Sequence, residues 1–450
     1  MKDWLTSLRV YRQPRLLAIL FMGFASGLPL ALTGATLTFW LAEEKVSRAA
    51  IGLFALVSLS YAYKFLWSPI IDRIPIPLLT RRLGRRRSWA LLIQLLLMAA
   101  IFLLGHSDPR GDLATTALLA VIVAFLSASQ DIVIDAYRIE LLKPEEQGAG
   151  AAATQWGYRL GMLAAGAGAF SIAELGGWDL AYTVMAALVA VGMVTILLTP
   201  EPAVILPRVR PGEKWLETLL LRPFTDFIER CGGRLDERRP LAARIAAFLW
   251  SGRVAFVILA FIVLYKLGEA MAGFMASPLY QQLGFTKLEV ASIAKVFGVI
   301  ATLAGVAFGG VIVARFGILP GLLIGGIVQM LSNLMYVVQV VAGHDTLMLA
   351  VSIFTENFTN GMGSAAFVAY LSSLCSAAFT ATQYALFSSL TALPRSFLSA
   401  PSGWLVDRLD WIPFFLATTA VAVPGLLVLL WLMRNPCLAQ HQAGEVAASC

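Results

Sequence analysis

Long apolar stretches separated by short polar ones set the pattern of this chain. The first, LLAILFMGFASGLPLALTGATLTFW, follows a basic start and carries no charge before Glu43. A run of about 18 or more apolar residues is long enough to cross hydrocarbon as a helix, which satisfies its own backbone hydrogen bonds. The pattern predicts twelve such helices, near 16–41, 49–71, 88–105, 113–137, 149–174, 179–199, 254–281, 289–314, 318–341, 346–374, 379–406 and 411–433. The first stretch reads as a retained anchor, because it lacks a small-residue cleavage pattern and further spans follow it.

The spans fall into two sets of six. Residues 1–199 form one predicted bundle and 254–435 the other, joined by a linker at 200–253 and followed by a tail at 436–450. Within the linker, Trp215, Leu216, Leu219, Leu220, Phe224, Phe227 and Ile228 recur at near-helical spacing, which predicts an amphipathic helix on the membrane surface. The halves resemble each other. AATQW opens span five and TATQY span eleven, and Trp178 and Trp411 follow at matching ends. The expected fold is all-α, with twelve transmembrane helices in two pseudo-symmetric six-helix bundles, the arrangement of major facilitator transporters.

Composition excludes a soluble class: 59% of the 450 residues are hydrophobic and 14% charged. The net charge of +7 is a topology signal, because the basic residues lie mostly on one side. Arg9, Arg12, Arg15, the cluster from Arg73 to Arg87 and the arginines between Arg208 and Arg253 place both termini in the cytoplasm. Nucleic-acid binding is not needed to explain the charge. Four scattered cysteines give no disulfide framework, and three loop or tail histidines give no metal spacing.

WSPIIDR followed by LGRRRSW closes span two. Asp72, Arg73, Arg85 and Arg86 there read either as a cytoplasmic latch between conformations or as a positive-inside anchor. Ionisable groups inside spans are costly and suggest function. Arg159, Lys266 and Glu356 lie roughly 15–18 Å deep, at about 1.5 Å per residue from each span's start. Lys64, Glu269, Lys295 and Arg395 lie nearer one surface or the other. Gln155 precedes Arg159 by one turn, Glu269 follows Lys266 by three residues, and Asn357 and Asn360 follow Glu356. Such groups either bind a polar substrate or pair between helices. In SASQDIVIDAYRIELL, Asp131 and Asp135 are one turn apart near the inner end of span four. Asp131 suits proton handling or gating, whereas Asp135 pairs with Arg138 or the arginine loop.

That segment, with EEQGAGAAATQWGYRLGM, VLYKLGEA, FTENFTNGMGSAAFVAYLSSLC and FTATQYALFSSLTAL, resembles the AmpG muropeptide permeases over nearly the whole chain. The resemblance implies a monomeric, proton-coupled inner-membrane transporter. It would import anhydromuropeptides (GlcNAc-anhydroMurNAc and its peptides) from periplasm to cytoplasm for peptidoglycan recycling and, in some species, β-lactamase induction. No cofactor beyond the proton gradient is expected, and a membrane-embedded enzyme is not expected, because the chain has no His-bearing motif, no metal spacing and no paired carboxylates near a nucleophile. Acetyl-coenzyme A transport is the same-fold alternative. The positions implied for proton coupling are Asp131, Asp135, Glu269 and Glu356. Those implied for substrate are Gln155, Tyr158, Arg159, Lys266, Glu269, Glu356, Asn357 and Gln383, and Lys64 joins them as a charge inside span two.

Overall fold

The computed structural model describes residues 13–203, 222–232, 252–286, 289–290, 293, 297–391 and 401–434. Every regular element among them is helical. The chain divides into two compact units: residues 8–208 with 377–389, and residues 209–376 with 390–450 and the first seven.

In the first unit α1 (Pro14–Ala31) passes through a π-helical turn at Leu32–Thr36 into Leu37–Glu43. Pro29 removes a backbone donor there, and the Thr33 hydroxyl returns a bond to the Pro29 carbonyl at 2.9 Å. Span two, expected as one helix, is instead a series of short pieces. Arg48–Leu53 and Leu59–Tyr63 alternate with 3-10 turns at Phe54–Ser58 and Lys64–Leu66, before α2 (Ser68–Arg73). The restart has a local cause. Pro69 stands in the first turn of α2, where its missing N–H is harmless, and the Ser68 hydroxyl bonds back to Phe65 at 3.0 Å. The Trp67 indole then pins this segment to Ser129 at 3.0 Å.

The unit continues with α3 (Arg85–Gly105), α4 (Leu113–Leu141), α5 (Gln147–Leu163), α6 (Ala169–Leu188) and α7 (Ala190–Leu198). The expected break between spans five and six is a sharp kink within α6, where Gly177 adopts φ 85°. Asp112 caps α4 by accepting from the Thr115 amide at 3.0 Å and its hydroxyl at 2.5 Å. Those bonds hold the Asp112 carboxyl below its ordinary range. Its contribution is therefore present above the ordinary carboxylate pKa and lost as the pH falls through the lowered one.

The second unit holds α8 (Arg222–Arg230), α9 (Arg253–Tyr265), α10 (Leu267–Gln282), α11 (Val299–Phe316), α12 (Ile318–Ser332), α13 (Leu334–Ala342) and α14 (Thr346–Ser373). After α15 (Thr380–Leu390), whose first ten residues pack with the first unit, come α16 (Ser402–Leu409) and α17 (Trp411–Met433). In α8, Phe227 and Pro223 are buried, and Arg230 donates to the Leu374 carbonyl at the end of α14 at 2.9 Å. Trp215, Leu216, Leu219 and Leu220 lie outside the described residues. Eight helical stretches among the described residues are long and apolar enough to cross a membrane. Spans five and six share one of them, Pro144–Leu198. Span two is interrupted, α14 carries several polar groups, and span eleven runs beyond the described residues.

The repeat seen in sequence reappears as a shared hydrogen bond. The Trp178 indole donates to Glu43 at 2.8 Å, and the Trp411 indole donates to Gln282 at 2.9 Å. In each case an indole at a helix–helix turn fastens the far end of its unit's first long span. Trp178 also stacks on Trp40, and Trp411 on Phe415.

Glycines set the closest helix contacts. Gly23 and Gly27 of α1 lie against the Thr154 and Tyr158 backbone of α5, and Gly157 and Gly161 of α5 against the Leu20 and Phe24 backbone of α1: a Cβ on Gly157 would stand 1.9 Å from the Leu20 carbonyl oxygen. In the second unit a Cβ on Gly305 of α11 would stand 1.9 Å from the Phe358 oxygen of α14. Lipid offers helices no hydrophobic drive to associate, so such close packing is what holds them. Gly157→Val should destabilise the first unit by about 1–3 kcal/mol or more. Gly166→Ala, whose Cβ meets nothing within 4 Å, should be neutral. Thermal unfolding of the purified variants in detergent checks both.

Candidate functional site

Three polar clusters are built into the two units. The first stands at the start of α3. Asp72, at the end of α2, is fully buried and accepts from Arg86 at 2.8 Å. Arg86 also grips Glu140 of α4 through Nε and Nη2, at 2.5–3.2 Å. Arg85 donates to the Asp72 main-chain carbonyl and lies 3.8 Å from Glu140. The other Asp72 carboxylate oxygen accepts from the Thr382 amide at 3.1 Å and hydroxyl at 3.0 Å, at the start of α15. A carboxylate at a helix N-terminus meets unpaired N–H groups and the positive end of the helix dipole. Arg73 lies over the Phe379 ring at 4.5 Å, and Arg138 over the Tyr384 ring at 5.3 Å.

Glu201 completes this cluster. Its carboxylate accepts from the backbone amides of Arg86 at 2.7 Å and Arg87 at 3.0 Å, capping α3. Arg87 in return donates to the Ile196 and Leu197 carbonyls at the end of α7. The two helix ends thus satisfy each other.

The second cluster surrounds Asp131. Ser26 of α1 donates its hydroxyl to the Asp131 carboxylate. The buried Lys64 and the Asp135 carboxylate are its charged neighbours, and the Tyr61 and Tyr158 hydroxyls lie within its field. Because α4 runs on to Leu141, Asp131 stands roughly 15 Å from the helix's C-terminal end, farther than the sequence-based boundary at 137 implied. Asp135 instead meets Arg138 at 3.4 Å. Arg159 is exposed on α5, with Tyr158 partly buried beside it, and Gln155 is partly buried one turn before it. Gln383 is buried at the start of α15.

The third cluster belongs to the second unit. Lys266 stands at the joint of α9 and α10 and donates to Glu269 at 2.6 Å and to Ser364 at 3.1 Å. Ser364 donates to Asn360 at 3.0 Å, and Asn360 donates to Glu269 at 2.7 Å. Four side chains from two helical segments thereby close a hydrogen-bonded ring. Glu356, also on α14, is coupled to Tyr336 and Tyr280. Asn357 uses both ends of its amide on protein: it accepts from Thr302 of α11 at 3.1 Å and donates to Ile353 at 2.8 Å. It ties helices together. Lys295 and Arg395 lie outside the described residues.

The sequence reading missed Ser26, Glu140, Glu201, Thr382, Ser364 and Tyr336 as site members. Glu140 lies in SASQDIVIDAYRIELL and reads as an interfacial charge until its arginine is placed. Glu201 lies more than a hundred residues from the amides it caps, so no local spacing reveals it.

A sequence profile of the Major Facilitator Superfamily matches residues 19–399. The chain is 41% identical to the anhydromuropeptide permease of Escherichia coli (strain K12), over 94% of this chain and 80% of that one. It is 35% identical to a putative transporter, AmpG 4, of Rickettsia conorii (strain ATCC VR-613 / Malish 7), over 94% of this chain and 98% of the relative. Among solved structures, it superposes on the proton:xylose symporter XylE with a TM-score of 0.61 at 13% identity, covering 95% of each chain. A bacterial homologue of the iron transporter ferroportin gives 0.64 at 14% identity, covering 94% of this chain and all of that one.

Removing Asp72 leaves Arg86 buried against one carboxylate in place of two. Asp72→Ala should cost about 3–5 kcal/mol of stability, as breaking a buried ion pair does. Glu201→Gln, which keeps an acceptor for the α3 amides, should cost no more than about 1 kcal/mol. Chemical or thermal unfolding in detergent separates the two.

Proposed function

We propose that this chain, which belongs to the anhydromuropeptide permease (AmpG) family of the major facilitator superfamily, is a proton-coupled secondary transporter that carries anhydromuropeptides from periplasm to cytoplasm. Multi-pass membrane residence follows from the family and from the apolar helices. The substrate is carried over from the 41%-identical permease, and that similarity over nearly the full chain is the observation on which the reading rests. The proposed location is a bacterial inner membrane with both termini in the cytoplasm, and the proposed working unit is a monomer without a cofactor.

The polar clusters suit this role. A disaccharide bearing a short peptide presents carboxylates, amides and hydroxyls. Arg159 offers a forked donor for a carboxylate, and Lys266 and Lys64 offer cations. Each unit also keeps a carboxylate beside a cation: Asp131 near Lys64, and Glu269 against Lys266. Protonating such a carboxylate frees its cation for an anionic substrate, which links proton entry to substrate binding. Asp131 is the proposed principal coupling group in the first unit. Its partners Ser26 and Lys64 come from other elements, so a change of its charge is felt by several helices at once.

The clasp of Asp72, Arg86 and Glu140 on α15 is the proposed cytoplasmic latch. Its release would let the start of span eleven move during the transport cycle.

Expression in a bacterium lacking its muropeptide permease should restore recycling of labelled GlcNAc-anhydroMurNAc-peptide. Failure to do so, with the protein present in the membrane, would transfer the assignment to another bulky anion. Asp131→Asn should abolish uptake driven by a proton gradient while leaving the protein in the membrane. Normal driven uptake by that variant would remove Asp131 from the coupling role.

A further inference from the structure

Asn333 sits between the end of α12 and the start of α13, and Gln329 lies one turn before it. Both are buried, 2% and 9% exposed. The Asn333 amide nitrogen and the Gln329 amide oxygen have no hydrogen-bond partner. These two side chains line a small pocket within the second unit, together with Lys266 and Glu269. Glycines keep the space open: a Cβ on Gly326 would stand 2.6 Å from Leu426 and 2.9 Å from the Tyr265 ring.

An unspent donor and an unspent acceptor therefore share a small space with an ion pair. Leaving both amide groups dry costs about 1–3 kcal/mol each. A water molecule supplies one donor and one acceptor at once and is small enough for such a site. The Glu269 carboxylate is already approached by Lys266 from the α9–α10 joint and by Asn360 from α14. Tyr265 and Glu356 also lie within its field. Each carboxylate oxygen retains a second lone pair, so a further donor can reach it from the pocket.

We propose that Gln329 and Asn333 hold a water against the Lys266–Glu269 pair and that this water delivers the proton to Glu269. This rests on the proton-coupled reading above. The bound water passes a proton to the Glu269 carboxylate and is replenished by one from bulk water. Glu269 becomes a neutral acid, no bond other than the transferred O–H changes, and Lys266 keeps its charge and loses its counter-ion. Neither amide hydrogen-bonds to a member of the ionic ring; their role is to position the water.

The test uses full-length protein in vesicles enclosing a pH-sensitive dye, with GlcNAc-anhydroMurNAc-peptide as the probe. Substrate-evoked proton uptake and substrate counterflow are measured side by side, since counterflow exchanges substrate with no net proton movement. Gln329→Met keeps the side chain's shape without its polar atoms, and Asn333→Leu removes the second amide. Both should lose substrate-evoked proton uptake and retain counterflow, while Asn333→Asp, which still binds water, should retain both. Wild-type proton uptake in Gln329→Met would overturn the proposal. So would joint loss of both activities in a variant that elutes as folded protein, because the amides would then serve the bundle itself. Absence of substrate-evoked proton uptake in the unmodified protein would instead overturn the proton-coupled reading.

Discussion

A charge placed in hydrocarbon has to find its counter-charge inside the protein, and the described helices are organised around that constraint. Arg86 is the clearest case. It is almost wholly buried and stands between Asp72 and Glu140, so α2, α3 and α4 are held at one point by one guanidinium. Pairs of this kind give little net stability compared with apolar packing, yet breaking one leaves a bare charge at great cost. Their effect is to fix which helix ends meet. Tight glycine contacts then fix how closely the helix shafts approach.

The same constraint separates the clusters by kind. Around Asp72 every carboxylate oxygen has a strong partner, which suits a joint that is either closed or open. Around Asp131 the cation, Lys64, lies on an interrupted segment where 3-10 turns replace regular helix. Such turns in mid-span often mark a hinge or a strained stretch of helix. The ring of Lys266, Glu269, Asn360 and Ser364 is a third kind. Its members come from a helix joint and from one face of α14, so its geometry depends on the bend at Lys266.

The twelve-helix, two-fold plan was legible in sequence because it is written in long apolar runs and in matching motifs. Trp178 and Trp411, matched there only by spacing, prove to fasten equivalent helix ends. The i, i+3 spacing of Lys266 and Glu269 put them on one helix face, where they form an ion pair at 2.6 Å. What sequence could not give were partners from distant segments. Thr382 meets Asp72 through the start of α15, and Ser26 meets Asp131 across α1 and α4. Thr302 meets Asn357 across α11 and α14, on a different side of the helix from Glu356, because successive helical residues stand about 100° apart. Span two was read as one helix because apolar content reports burial in lipid, whereas its restart at α2 is set by Pro69 and the Ser68 hydroxyl.

The cap that Glu201 places on α3 joins residues far apart in the order of synthesis. When Arg85, Arg86 and Arg87 first emerge, neither Glu140 nor Glu201 yet exists. During that interval the three arginines are uncompensated positive charges at the start of α3. Once α4 arrives, Glu140 neutralises part of the group. Once α7 is complete, Glu201 closes the remaining backbone donors. One set of residues is thus uncompensated while the chain is being made and binds helix ends together afterwards. The two conditions are separated by time of assembly.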